Sequence, residues 1–190
     1  MSRRRHDRSP GPDPEAVLAG QLARLDALYA SLPALPCRGL CADSCHTHVD
    51  ASAAERTRLQ RRHGLDLDAP TRDGACPALS RSFGSGRCTV HADRPMICRL
   101  WGTAASMPCP HGCTPNGGHL DDRATLQALA DSLATGGHRD GGLADLLGDF
   151  LDDPVAAALV AAMLRGDRTA RPALLEHYLT RGAASRPTSR

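Results

Sequence analysis

The sequence predicts a mainly α-helical protein in which amphipathic helices from both ends of the chain pack with an irregular, cysteine-rich, metal-binding core. Aromatic residues make up only 3% of the chain and Ile97 is its one isoleucine, whereas strands favour aromatic and β-branched side chains. Leucines recur at helical spacing before residue 34 and after residue 118. All eight cysteines lie between them, in a stretch that glycines and prolines interrupt.

The length of 190 residues and the 41% apolar content are those of one domain, or of one domain with a small satellite. We expect a disordered tail over residues 1–12 and an N-terminal helix over residues 13–33. The cysteine-cluster region is expected over residues 37–118 and a helical region over residues 119–182. A second disordered tail is expected over residues 183–190.

The N-terminal helix has a start signal, an apolar stripe and a stop signal. Asp13 is a typical N-cap and Pro14 is favoured at the first helical position. The stripe alternates spacings of four and three residues and consists of Leu18, Leu22, Leu25, Tyr29 and Leu32. Pro33 and Pro36 then end the helix, whose stripe should face the C-terminal helices.

Two shorter helices are predicted inside the cysteine-rich region, and the remainder is expected to be irregular loop. Ser52 and Glu55 form a capping box, which starts a helix that runs to His63 and stops at Gly64. A second short element is predicted from Met96 to Trp101.

Four stripes or start signals predict helices in the C-terminal region. The first stripe consists of Leu126, Leu129, Ala130 and Leu133, and the second of Leu143, Leu146, Leu147, Phe150 and Leu151. Asp153 and Pro154 start a helix that extends to Arg165. Pro172 is expected to open a last helix, with the stripe Leu174, Leu175, Tyr178 and Leu179.

Charge and hydropathy limit the kinds of partner and the cellular compartment that we expect for this protein. The formal net charge is only +2, so the chain creates no overall field that attracts nucleic acid. No apolar stretch approaches the roughly 20 residues that span a membrane. The polar N-terminus does not resemble a secretion signal, so we expect a cytoplasmic protein. In that reducing compartment, clustered cysteines are metal ligands or redox groups more often than disulfides.

The spacing of the cysteines predicts metal or iron–sulfur cluster binding. Ligands that are a few residues apart on a loop can hold one ion, and three close cysteines with a distant fourth are common around clusters. The eight thiols can form two four-cysteine sites. Alternatively, four or five of them bind at one site and the remaining thiols lie around those ligands. We expect one set to converge: Cys37, Cys41, Cys45, Cys76, Cys88 and Cys98. Cys109 and Cys113 complete that site or form a second one.

Arginines of the same region are predicted to compensate the charge of the site. A metal bound by four thiolates is negatively charged, and burying it requires donors or cations. We expect Arg94 and Arg99 to bind the cofactor, either by neutralising it or by holding an anionic ligand. Pro95 should hold Arg94 in an extended conformation and begin one helical turn.

One segment carries a specific family resemblance. Residues 76–102 read CPALSRSFGSGRCTVHADRPMICRLWG and resemble the signature of the YkgJ-type cysteine-cluster family, which is described as zinc- or iron-chelating. The matching residues are Cys76, Pro77, Leu79, Cys88, Val90, Arg94, Pro95, Cys98 and Arg99. Ser44 precedes Cys45 where the family has adjacent cysteines, and His91 replaces a tyrosine. His91 is then a packing substitution, a ligand or a hydrogen-bond partner of a cluster sulfur.

Three classes of function follow from these observations. The first is a protein that binds a metal or an iron–sulfur cluster, of the 4Fe–4S type or else zinc, with a redox or metal-handling role. The second is a cluster-dependent enzyme, such as a methyltransferase that uses S-adenosylmethionine. The resemblance implies the second class through a methylase relative, although no GxGxxG motif supports it. The third is a zinc-stapled scaffold that binds another protein.

Overall fold

The computed structural model describes residues 11–40, 45, 49, 51–71, 74–80, 86–137, 151–164, 167–174 and 176–177. The α-helices with defined bounds are α1 (Pro14–Ser31), α2 (Ala53–His63), α3 (Met96–Leu100), α4 (Asp122–Gly136) and α5 (Pro154–Leu164), and a 3-10 helix spans His91–Asp93. The strands are β1 (Leu79–Ser80) and β2 (Arg87–Cys88). This architecture confirms the mainly α-helical prediction.

Helix α1 begins and ends at the predicted signals. The Asp13 carboxylate accepts a hydrogen bond from the Glu15 backbone N–H at 3.1 Å, and Pro14 occupies the first helical position. The helix ends at Ser31, and Leu32 is extended because it precedes a proline. Leu25 is fully buried, and α1 packs against α4 as expected.

Helix α2 is closed at both ends by its own sequence. The Ser52 backbone N–H donates to the Glu55 carboxylate at 2.7 Å, and the Glu55 backbone N–H donates to the Ser52 hydroxyl at 3.3 Å. Gly64 adopts the left-handed conformation with φ of +63°, which ends the helix. Both predicted signals are confirmed.

The C-terminal elements agree with the prediction where they are described, except at the start of the last helix. The stripe Leu126, Leu129, Ala130 and Leu133 is buried on α4. Asp153 caps α5 by accepting hydrogen bonds from the backbone N–H groups of Val155 and Ala156. The last helical segment starts at Ala170 rather than at Pro172, since proline is also tolerated within the first turn.

Several sequence predictions fall outside the described residues. These are the stripe residues Leu143, Leu146, Leu147 and Phe150, the last-helix residues Leu175, Tyr178 and Leu179, the tail over residues 183–190, and nearly all of the tail over residues 1–12. No helix of the described part has both the length and the hydropathy that crossing a membrane requires.

Two apolar clusters flank the cysteine-rich region. The larger one is formed mostly by α3, α4 and the loop between them, and side chains of α1 pack against it. Its fully buried members include Met96, Leu100 and Leu126. The smaller cluster consists of Leu59, Ala78 and Val90, with the thiols of Cys76 and Cys88 at its edge.

The Glu55 carboxylate connects four helices inside the molecule. The residue is only 2% exposed. Its oxygens accept hydrogen bonds from the Tyr29 hydroxyl of α1, the Met96 backbone N–H at 2.8 Å and the Ser132 hydroxyl of α4 at 3.5 Å. Since Met96 is the first residue of α3, the capping glutamate of α2 also fixes where α3 begins.

A glycine allows α4 to approach the start of α2 closely. A Cβ atom on Gly136 would lie 2.2 Å from the Ser52 hydroxyl oxygen and 2.5 Å from the Ser52 Cβ. The Ala53 backbone N–H donates to the Gly137 carbonyl at 2.6 Å at the same crossing. The contact therefore depends on the absence of a side chain at residue 136.

We expect Glu55→Ala to lower the free energy of unfolding by about 3 kcal/mol or more, because it leaves several buried donors without an acceptor. Urea unfolding followed by circular dichroism measures the loss. Glu15→Ala, which removes an exposed ion pair with Arg61, is the control and should leave the midpoint nearly unchanged. Equal losses for the two variants would contradict the connecting role of Glu55.

Gly136→Ala should destabilise the protein by about 1–3 kcal/mol, because the new methyl group overlaps Ser52. Gly20→Ala in α1 is the matched control, since its nearest foreign atom, the Arg24 Nη1, is 3.6 Å away. That substitution should stabilise the protein by about 0.5–1 kcal/mol through helix propensity. Thermal unfolding of both variants tests the pair, and a stabilising Gly136→Ala would refute the close crossing.

Candidate metal centre

Backbone hydrogen bonds bring three cysteines of the region together. The Cys76 N–H donates to the Cys45 carbonyl at 2.6 Å, and the Leu79 N–H donates to the Cys76 carbonyl at 2.9 Å. Strand β1 pairs antiparallel with β2, which places Leu79 opposite Cys88. This short hairpin stands where irregular loop was expected, so that expectation was wrong. Its two-residue strands are too short to show alternation in the sequence.

Five cysteines line one cavity of about 80 Å³. Helix α3 contributes Cys98, and the segment after α1 contributes Cys37. The other three are Cys45, Cys76 and Cys88, and the rest of the wall is largely apolar. The cavity has room for more than a single water molecule. Cys41, which is predicted to join this set, lies outside the described residues.

The thiols of the cavity oppose one another's ionisation. Burial raises the pKa of Cys45 to about 11 and that of Cys98 to about 12. Burial also raises the pKa of Cys88. Neighbouring cysteines add to all three shifts, so these thiols share one electrostatic environment. A cation bound among them would reverse the effect, because a coordinating thiol loses its proton.

The donor set suits a soft, thiophilic metal. Thiolates select zinc or iron–sulfur clusters over hard cations such as magnesium. Among the described residues, no three Cys, His, Asp or Glu side chains already form a metal-coordinating group. The type of donor and the enclosing cavity therefore fit the predicted cofactor, and the individual ligand assignments stay predictions.

Arg94 faces the cavity, and Pro95 holds it there. Arg94 is extended, with φ of −57° and ψ of 142°, and α3 follows directly after Pro95. The Arg94 Nη1 lies 3.9 Å from the Cys37 sulfur and donates to the His91 Nε2 at 2.8 Å. The positive charge of Arg94 lowers the pKa of Cys88 and of Cys98, which partly offsets the larger increase that burial causes.

His91 lies between this arginine and the first cysteine of the cavity. Its Nε2 is 3.5 Å from the Cys37 sulfur and accepts the hydrogen bond from Arg94. Burial and then the charges of Arg94 and Arg99 lower the pKa of His91, which favours the neutral ring. The side chain thus lines the cavity beside a thiol, and its role as a packing substitution, a ligand or a hydrogen-bond partner of a cluster sulfur stays a prediction.

Arg99 points away from the described wall of the cavity and braces the loop before α3. Its Nε donates to the Arg94 carbonyl at 2.9 Å, and its Nη2 donates to the Ala92 carbonyl at 2.6 Å. The guanidinium lies over the Tyr29 ring, 4.0 Å from the centroid. The two arginines of the motif thus occupy different surroundings, with Arg94 at the thiols and Arg99 at the backbone.

The remaining cysteines are grouped apart from the described wall of the cavity. Cys109 and Cys113 lie on the loop between α3 and α4. A hydrogen bond with the Arg38 side chain, and to a smaller extent with Cys109, lowers the pKa of Cys113. The prediction that this pair completes the first site or forms a second one is not decided by this arrangement.

The family resemblance is confirmed over the whole region. Residues 36–123 match the family model CxxCxxCC, whose description is "Putative zinc- or iron-chelating domain". The match covers 88 of the 190 residues, so this part of the chain is similar to that cysteine-cluster family. Searches of curated proteins and of solved structures gave no significant match.

One contact that holds the cysteine-cluster domain together was not recognised from the sequence. The Asp93 carboxylate accepts hydrogen bonds from Arg62 and from His63, both at 2.8 Å, and the His63 contact is the first cause that lowers its pKa. These contacts tie the turn His91–Asp93 to the end of α2. The sequence shows that basic residues end α2, but it does not show that Asp93, 30 residues after His63, is their partner.

We expect Arg94→Gln and Arg99→Gln to affect different properties. Arg99→Gln should lower the free energy of unfolding by about 1–3 kcal/mol, because it removes two hydrogen bonds and a cation–π contact. Arg94→Gln should instead raise the pKa of Cys98 further, because it removes the nearby positive charge.

Urea unfolding measures the first effect, and pH-dependent alkylation of Cys98 in metal-free protein measures the second. A Cys98 pKa that moves as much in Arg99→Gln as in Arg94→Gln would contradict this division of roles.

Proposed function

We propose that this protein holds a thiolate-bound iron–sulfur cluster, of the 4Fe–4S type, and serves a redox or metal-handling role in the cytoplasm. The proposed ligands come from the set that lines the cavity, Cys37, Cys45, Cys76, Cys88 and Cys98, together with Cys41. The observation that carries the proposal is the convergence of five thiols from distant parts of the chain on one cavity.

The spread of the thiols around the cavity favours a cluster over a single zinc ion. A zinc ion and a 4Fe–4S cluster each take four thiolates, so the number of thiols alone does not separate them. Among the described residues, no three donors are already gathered around one point, whereas five thiols surround a cavity of about 80 Å³. When bound, such a cluster supplies one-electron transfer or delivers iron and sulfide.

The protein's own residues account for the charge of such a site. The Gly39 backbone N–H donates to the Cys37 sulfur at 3.4 Å, and Arg94 brings a positive charge to the same sulfur. The Arg94 Nε is buried and has no hydrogen-bond partner within the described part of the chain. These groups support a negatively charged centre more than an apolar ligand.

The contacts of Arg99 support metal binding more than the methyltransferase alternative. That alternative uses a free guanidinium to hold the carboxylate of S-adenosylmethionine. Arg99 already donates to two backbone carbonyls and stacks on Tyr29. The zinc-stapled scaffold is the outcome if zinc alone is found in the purified protein.

Anaerobic purification with metal analysis tests the proposal. We expect iron and acid-labile sulfide in comparable amounts, with a brown charge-transfer absorption that is bleached by dithionite. Loading should weaken as the pH falls, because the thiols must lose protons to bind. Zinc without iron and a colourless protein would contradict the iron–sulfur assignment.

Cys98→Ser should remove most of the bound metal, because it replaces a buried thiol of the cavity with a poorer ligand. Cys113→Ser makes the same atomic change outside the described cavity wall, and an equal loss of metal in both variants would make Cys113 part of the metal centre. Metal per chain is measured for both variants after confirming that each retains its helical circular dichroism. Full metal content in Cys98→Ser would refute its role as a ligand.

A further inference from the structure

A polar recess of about 230 Å³ adjoins the metal cavity. The two spaces share the lining residues Cys37, Gly39, Cys88 and His91, so the recess lies directly beside the thiols. A Cβ atom built on Gly39 would meet no atom within 4 Å, which leaves this wall open. The recess has room for several water molecules and therefore for a small organic molecule.

The lining residues of the recess that the cavity does not share are two arginines, Arg38 and Arg87. Arg38 directly follows Cys37, and Arg87 of β2 directly precedes Cys88. The Arg38 Nη2 donates to the His111 carbonyl at 2.8 Å, which fixes the guanidinium and occupies only one of its five N–H groups. Arg87 is exposed, and its side chain forms no hydrogen bond or ion pair within the described part of the chain.

No negative charge among the lining residues balances these arginines, since none of the six is acidic. Arg94 donates to the His91 Nε2 at 2.8 Å, so a third positive charge lies directly behind that wall. Asp93 is the acidic side chain of the adjoining turn, and it is held by Arg62 and His63, each at 2.8 Å. A cleft lined by one sign of charge concentrates ions of the opposite sign. The recess therefore favours anions over free metal cations.

We propose that the recess binds a small organic anion of the di- or tricarboxylate class, with one carboxylate at Arg38 and another at Arg87. A guanidinium matches a planar carboxylate with two parallel hydrogen bonds. Phosphate sites typically add backbone N–H groups, whereas the Gly39 N–H is directed at the Cys37 sulfur at 3.4 Å. Carboxylate oxygens held in the recess lie at the edge of the metal cavity, whichever metal that cavity binds.

Titration calorimetry of the purified full chain with tricarballylate at low ionic strength tests the proposal. This tricarboxylate lacks the hydroxyl group of citrate and chelates metal ions more weakly, so that binding is measured rather than metal removal. We expect one molecule per chain, with an affinity that falls as sodium chloride is added. Acetate and inorganic phosphate should each bind at least roughly tenfold more weakly. Phosphate that binds as tightly as tricarballylate would overturn the carboxylate class, and the absence of saturable binding would overturn the site.

Arg87→Gln should weaken the binding of tricarballylate by roughly fivefold or more, because it removes one charge and one carboxylate-binding fork. Arg38→Gln should have a similar effect, but Arg87→Gln is the more specific test, since Arg38 also lowers the pKa of Cys113. Arg24→Gln, which removes an exposed arginine of α1, is the matched control and should leave the affinity unchanged. Equal affinities in Arg87→Gln and Arg24→Gln would overturn the assignment of the site.

Metal content separates this inference from the proposed function. Arg87→Gln should retain the metal content of the unmodified protein, because Arg87 contributes charge to the recess and no thiol to the cavity. A loss of metal in this variant would make Arg87 part of the metal centre and overturn the anion site, while metal binding by the protein would stand. Zinc in place of an iron–sulfur cluster, together with binding of tricarballylate that depends on Arg87, would contradict the proposed function and support this inference.

Discussion

The buried carboxylate of Glu55 is the interaction on which the arrangement of the cysteine-cluster domain depends. A buried charge is tolerated only where donors surround it, and here the donors come from α1, α2, α3 and α4. Each helix that moved away would remove one of these hydrogen bonds from the carboxylate. One side chain thus makes the packing of all four helices mutually dependent.

This constraint extends from the helices to the thiols. Because the Glu55 carboxylate holds the Met96 N–H, the start of α3 is fixed, and with it the position of Cys98 two residues later. Arg94 lies two residues before Met96, and the Arg99 side chain donates a hydrogen bond to the Arg94 carbonyl. A metal centre built from loops needs such support, since loops by themselves do not hold ligands at coordinating distance.

The described cysteines lie in two chemical environments. Burial and neighbouring thiols disfavour the charged form in the cavity, so that a metal ion is the natural counter-charge there. On the loop between α3 and α4, Arg38 instead lowers the pKa of Cys113. The same residue type therefore meets opposite electrostatic surroundings at two places in this region.

The sequence by itself determined the local features of this protein: the caps at Asp13 and Ser52, the leucine stripes and the turn after Pro95, because each depends on neighbours within a few residues. The match of residues 36–123 also follows from sequence alone. Only the tertiary structure decided that Arg94 faces the thiols and Arg99 the backbone. The two arginines are five residues apart in one motif and point in different directions, so contacts with distant parts of the chain determine the surroundings of each side chain.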